Sequence, residues 1–190
     1  TYTVTGTSSS NGCTATASSV IGINTTAPTA GITNNTGSTE LTCARTSISV
    51  TATGGTAYSW SNGSSVVSTT ADLTITTAGT YTVTVTGSNG CTATDAVTIT
   101  SNTTAPSVAV APTSGTLTCA TTSITLTASG ADSYSWSGGG TGTSKSVTTA
   151  NTYTVTGTSS SNGCTATASS VIGSNTTAPS VAVSPTTGTL

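Results

Sequence analysis

Histidine, methionine and phenylalanine are missing from this sequence of 190 residues, and only 3% of it is charged. Without histidine, no serine or threonine has the usual general base beside it. The carboxylates are Glu40, Asp72, Asp95 and Asp132, scattered along the chain with no acid/base pair at a recognisable spacing. Catalysis is therefore not expected. Arg45 and Lys145 are the only cations, too few to neutralise a phosphate backbone or to form a polybasic membrane patch. Neither nucleic acid nor anionic lipid is expected as a partner. No apolar run approaches the roughly 18 residues of a spanning helix, and no charged segment leads into an apolar core, so neither membrane insertion nor an export signal is visible. Glu, Lys, Arg, Met and Gln, the strong helix formers, are nearly gone.

What remains is dominated by Thr and Ser, together about 45% of the chain, far from average globular usage. Disordered chains combine low hydrophobicity with high net charge. Here the net charge is only -2, and Val, Ile, Tyr and Trp alternate with Thr as a half-buried strand requires. The expected class is all-β.

Internal repetition organises the sequence. Residues 1 to 28 match 152 to 179 at every position except Ile23, which becomes Ser174. A diverged copy fills 80 to 106, and LTCARTSISVTATGGTAYSWSNG from Leu41 aligns with LTCATTSITLTASGADSYSWSGG from Leu117. Tyr2, Tyr81 and Tyr153 are thus equivalent, and the period is roughly 72 to 79 residues. Cutting at the NTTAP segments gives the back half of a repeat (1–28), two complete repeats (29–106 and 107–179) and the start of another (180–190). The expectation is a stretch of a longer repetitive polypeptide.

Within a repeat, Ile48, Val50 and Ala52 share one strand face, as do Ile124, Leu126 and Ala128. A glycine turn leads to Tyr58 and Trp60, matched by Tyr134 and Trp136. Then TYTVTVT places Tyr81 and Val83 (Tyr153 and Val155 in the next copy) on an inner face, and Asn-Gly closes a hairpin into the last strand. Short alternating strands with one Trp in the third and a corner tyrosine describe an immunoglobulin-like β-sandwich. Trp60, Trp136, Tyr81, Tyr153, Val83 and Val155 are the expected core. The two tryptophans could alternatively stack on a sugar, but a single Trp at that strand position belongs to the core.

The cysteines do not sit where antibody domains carry them. Cys43 falls just before the second strand, and Cys91 just after the hairpin; Cys119 and Cys164 repeat this pattern. A bridge needs Cα atoms within about 7 Å, hence an even number of strand traversals between the two. Four traversals fit, with one principal strand between Trp60 and Tyr81, although the 20 residues between them could hold two short ones; Cys43–Cys91 and Cys119–Cys164 are the expected pairs, one within each repeat, and Cys13, equivalent to Cys91, is expected to stay unpaired. Metal binding is not expected without His or CxxC spacing. Asp72 and Asp132 read as ordinary turn formers and not as calcium ligands. No cofactor is expected. Sequons occur at Asn24, Asn34, Asn62, Asn102 and Asn175.

The combination of YSWSNG, AGTYTVTV and NGCTAT, spread over nearly the whole sequence, resembles the PKD-like and SprB-type gliding-motility adhesin repeats of giant Bacteroidota cell-surface proteins. The second repeat departs from it with SGGGTG and NTYTV. What the resemblance implies is an extracellular, non-catalytic stalk or filament built of tandem sandwiches, with no catalytic residues to carry over. Disulfides independently imply an oxidising, extracytoplasmic location. Edge strands without protective Lys or Glu make other copies of the repeat, end to end or lateral, the expected partners; a surface polysaccharide is the second partner class. The rival reading is a carbohydrate-binding or spacer module of a secreted multidomain hydrolase.

Overall fold

The computed structural model describes residues 1–184; residues 185–190 of the expected trailing segment 180–190 lie outside the described residues. Seventeen strands and no helix occur among the described residues. β1 (Tyr2–Thr7) and β2 (Thr14–Ser19) form a hairpin. The first complete sequence repeat carries β3 (Gly31–Asn34), β4 (Glu40–Thr42), β5 (Ile48–Thr53), β6 (Ala57–Ser61), β7 (Val66–Ser68), β8 (Asp72–Ile75), β9 (Gly79–Thr86) and β10 (Thr92–Asn102). The second carries β11 (Ala109–Ala111), β12 (Ser114–Thr118), β13 (Ile124–Ser129), β14 (Ser133–Trp136), β15 (Ser144–Val147), β16 (Asn151–Thr158) and β17 (Thr165–Asn175). By compactness the chain forms two units. One is Thr1–Thr39 with Ser47–Ile99, and the other is Glu40–Thr46 with Thr100–Leu190. The short segment containing β4 and Cys43 therefore belongs to the first repeat by sequence and to the second unit by packing.

In the first unit, the sheet β3-β5-β8 and the strands β10-β9-β6-β7 supply two inner faces. Alternation explains which residues fill them. Ile48, Val50 and Ala52 of β5, Leu73 and Ile75 of β8, and Tyr81, Val83 and Val85 of β9 are buried, together with Trp60 and Ile99. Each such Val, Leu or Ile contributes about 1.5–3 kcal/mol. The threonines between them face outward, where Thr80 and Thr98 pair their hydroxyls across β9 and β10 at 3.1 Å. Trp60 is fully enclosed, and its Nε1–H donates to the Ala71 carbonyl at 3.3 Å, which satisfies its single polar atom.

The second unit repeats the plan with β11-β13-β15 and β12-β17-β16-β14. Val110, Leu117, Leu126, Ala128, Tyr134, Trp136, Val147, Tyr153, Val155 and Ile172 form its core. Trp136 donates from Nε1 to the Gly142 carbonyl at 3.0 Å. Tyr153 turns its hydroxyl back to the Thr149 carbonyl at 3.0 Å, as Tyr81 does to Thr77 at 3.1 Å. This is the tyrosine corner of immunoglobulin-like sandwiches. The leading edge of the repeat switches sheets: β11 pairs antiparallel with β13, then β12 pairs parallel with β17. These pairings, the buried tryptophan on β6 or β14 and the corner tyrosine define an all-β immunoglobulin-like fold.

The turn after β5, and after β13 in the next repeat, depends on glycine. Gly130 has φ +90°, and a Cβ there would run into the Ser107 backbone carbonyl; Gly54 has φ +99° and the same conflict with Thr29. Gly138 has φ +72° but open space around it. Gly138→Ala should therefore lose about 1–2 kcal/mol, the left-handed backbone cost alone. Gly130→Ala adds a backbone clash and should lose more than about 3 kcal/mol. Urea denaturation of the two variants measures the difference, and equal losses would count against this account of the turn.

Candidate functional site

The parallel register of β12 on β17 decides where each cysteine lies. Thr118 pairs with Asn175, the last residue of β17, so Cys119 sits at the far end of that strand. Its Sγ is 3.8 Å from the Thr176 carbonyl oxygen. Cys164 immediately precedes Thr165, the first residue of β17. Ten residue steps at about 3.3 Å put the two roughly 33 Å apart, beyond any bridge. In the first repeat β10 has the same length, and Asn102 at its end pairs with Thr42 while Cys91 precedes its start.

The bond that forms is Cys43–Cys164, with Cα atoms 5.0 Å apart and a sequence separation of 121. Cys13, Cys91 and Cys119 are free thiols. The expected Cys43–Cys91 and Cys119–Cys164 pairs are thus replaced by one bond from the first sequence repeat to the second. The error lies in the strand count. Between the tryptophan strand and the next core strand the chain makes one more traversal, as β7 in the first repeat and as the loop after Trp136 in the second. In that loop Ser135 and Thr141 form a single antiparallel bridge, the trace of a shortened strand. Four traversals become five, and an odd number leaves the two cysteines of a repeat at opposite ends.

Around the bond, the hairpin Ser159–Cys164 is closed by Ser159 N–H to the Cys164 carbonyl and Gly163 N–H to the Ser159 carbonyl, both 2.9 Å. Asn162 does more than turn the chain. Its Oδ1 accepts from Cys164 N–H at 3.0 Å, fixing the cysteine. Its Nδ2 donates to Asn102 Oδ1 at 3.0 Å and to the Thr104 carbonyl at 2.9 Å, fastening the hairpin to the NTTAP segment. Its own carbonyl accepts from Ala44 N–H at 3.2 Å. Gly163, at φ +70°, leaves room for Ala44, whose Cβ would lie 2.6 Å from a Cβ added there. Cys164 is 1% exposed and Asn162 5%. The cysteine was legible from the sequence, but this role of the asparagine was not; the signal was the recurrence of Asn two residues before each hairpin cysteine.

Asp72, Asp95 and Asp132 accept hydrogen bonds from neighbouring groups. Asp132 Oδ2 accepts from Ser160 N–H at 2.7 Å and from its hydroxyl at 2.9 Å, tying the hairpin to the turn before β14. The backbone bond first and the hydroxyl second hold its carboxyl below the ordinary value of 3.8. Asp72 Oδ1 accepts from Thr51 Oγ1 at 2.6 Å, and Asp95 Oδ1 from Ala96 N–H at 2.8 Å. Among the described residues no three His, Cys, Asp or Glu side chains gather as a metal site would need.

No protein-family profile and no curated protein matches the sequence. Solved structures of similar shape include three N-terminal domains of the bacteriophage RB49 Highly Immunogenic Outer Capsid protein, at 22% identity and a TM-score of 0.45 over 78% of this chain and 59% of that one. A structure from a 1.5-MDa bacterial ice-binding adhesin aligns at 13% identity and a TM-score of 0.43, covering 80% of this chain and 67% of the other. Titin domains z1z2 align at 16% and 0.33 over 82% and 100%. This chain spans less than two thirds of the phage fragment.

Trypsin distinguishes the pairings, because Arg45 and Lys145 are its only sites. After thiol blocking and denaturation, the observed bond leaves the fragment 1–45 joined to 146–190 and releases 46–145. Two bridges inside the repeats would instead hold all three fragments together until reduction. Mass spectrometry of the unreduced digest reads the result directly.

Proposed function

We propose that this chain is a load-bearing, non-catalytic segment of a repetitive extracellular surface protein, a stalk or filament of tandem immunoglobulin-like repeats. The observation that carries this reading is the Cys43–Cys164 bond, which runs from one sequence repeat to the next. Such a bond persists in oxidising compartments, and repeat-to-repeat fastening has a purpose where a chain of modules must hold together under tension. The resemblance of YSWSNG, AGTYTVTV and NGCTAT to giant Bacteroidota surface repeats, including the SprB type, supports the same role. A carbohydrate-binding role gains nothing from the tryptophans: Trp60 and Trp136 are enclosed at 0% and 3% exposure, leaving no flat ring for a sugar.

Antibodies raised against the folded chain should label the outside of intact cells of the producing organism, along extended appendages. Labelling only after permeabilisation would overturn the surface assignment. The load-bearing part has its own test. When the chain is pulled from its two termini, the bond excludes the 121-residue separation from extension. Reduction should therefore lengthen the fully unfolded chain by about 420 Å, at about 3.5 Å per residue; equal lengths before and after reduction would exclude the load path.

A further inference from the structure

We infer that Cys91 and Cys119 are the two open halves of a second staple of the same kind, each built to bond another copy of this repeat. The Cys43–Cys164 bond supplies the template, since Cys119 is equivalent to Cys43 and Cys91 to Cys164. The presenting half is already shaped. In the bonded copy, Thr42 N–H donates to the Arg45 carbonyl at 2.8 Å and Arg45 N–H to Thr42 Oγ1 at 2.9 Å. The free copy makes the same turn, with Thr118 N–H to the Thr121 carbonyl at 2.9 Å and Thr121 N–H to Thr118 Oγ1 at 3.0 Å. Cys119 stands exposed on it.

The receiving half is shaped as well. Asn89 clamps its own NTTAP segment through Nδ2, to the Asn24 carbonyl at 3.2 Å and the Thr26 carbonyl at 2.9 Å, while Oδ1 accepts from Cys91 N–H at 3.1 Å. Asn162 makes the matching set around Cys164, with the Asn102 side-chain oxygen in place of the Asn24 carbonyl. A hollow beside the hairpin is lined by Asn24, Thr26, Pro28, Gly55, Thr56 and Asn89. Cys91 is half-exposed, whereas Cys164, covered by the Thr42–Arg45 segment, is enclosed. The occupant of this receiving half is the LTCA turn of another copy, whose Ala120 N–H would meet the Asn89 carbonyl as Ala44 meets Asn162. Two prearranged halves bond with little ordering cost. Because the halves differ, the contact is heterologous, joining copies head to tail.

The bond forms by thiol–disulfide exchange with a small-molecule disulfide such as oxidised glutathione. One cysteine thiolate displaces a glutathione thiolate to give a mixed disulfide, and the second cysteine displaces the other. Two cysteine protons are released to the two glutathione thiolates, and the two electrons lost by the cysteine sulfurs reduce the glutathione disulfide. This inference rests on the surface-stalk reading only for its oxidising compartment.

The test uses the whole chain. The variant C13S/C91S keeps Cys119 as its free thiol, and C13S/C119S keeps Cys91. Equal amounts, one labelled with 15N, are mixed with oxidised and reduced glutathione, and the disulfide-linked dimers are weighed. Random pairing gives a ratio of mixed to like dimers of about one; the expected ratio is at least about five. Adding Asn89→Ala to the Cys91 partner should bring the ratio back towards one. A random ratio, a preference for like dimers, or monomers capped by glutathione alone would overturn the inference. Any of these would leave the surface-labelling result untouched, so the two readings fail separately.

Discussion

The parallel pairing of a short leading strand with the last strand of a repeat is the constraint on which everything else rests. In the second unit it is β12 on β17, from Ser114↔Val171 to Thr118↔Asn175. A parallel partner ends where its neighbour ends, so the residue after Thr118 is delivered to the end of the sandwich where the chain leaves for the next NTTAP segment. The hairpin between β16 and β17 lies where β17 begins. A cysteine after the leading strand and a cysteine after the hairpin are then held at opposite ends by the same ladder of hydrogen bonds. Had the leading strand paired antiparallel, the two would have met within the repeat.

That geometry gives a bond that crosses from one sequence repeat to the next while both of its cysteines lie in the second compact unit. An intra-repeat bridge would strengthen a small core and leave each repeat independent. The bond between Cys43 and Cys164 closes a loop longer than one repeat, with a chain-entropy contribution of about 4–5 kcal/mol. It restricts the unfolded states of parts of two repeats together.

Most of the sandwich was legible because alternation is a local property. The inward set of β5, Ile48, Val50 and Ala52, and the outward Ser49 and Thr51 follow from the two-residue period of a strand, whatever it pairs with. Tyr81, Val83, Tyr153 and Val155 were found in the same way, and Trp60 and Trp136 were placed in the core by position. The disulfide partners were not legible because they depend on a parity, and parity hinges on the weakest element. β7 has three residues, Val66–Ser68, two of them exposed, and in the second repeat it shrinks to the single Ser135–Thr141 bridge. Neither leaves an alternating apolar signature. Five short strands and four differ by one such segment, and the sequence at this point is mostly Ser, Gly and Thr.

Asn162 shows a second limit on reading by motif. Asn-Gly is the strongest short hairpin signal, and that explanation of the pair is sufficient, so nothing prompts a search for another. Yet the side chain satisfies a cysteine N–H with its oxygen and the preceding NTTAP segment with its nitrogen. Aspartate would keep the first contact and lose the second, because it has no donor. Glycine at the next position is fixed both by φ and by the approach of Ala44. The tripeptide Asn-Gly-Cys therefore binds each residue to a different requirement: a clamp with both donor and acceptor, a backbone with no side chain, and a sulfur. At Cys164 three constraints of unlike chemistry act on three consecutive residues; at Cys91 the clamp and the left-handed glycine are kept, with open space beside Gly90.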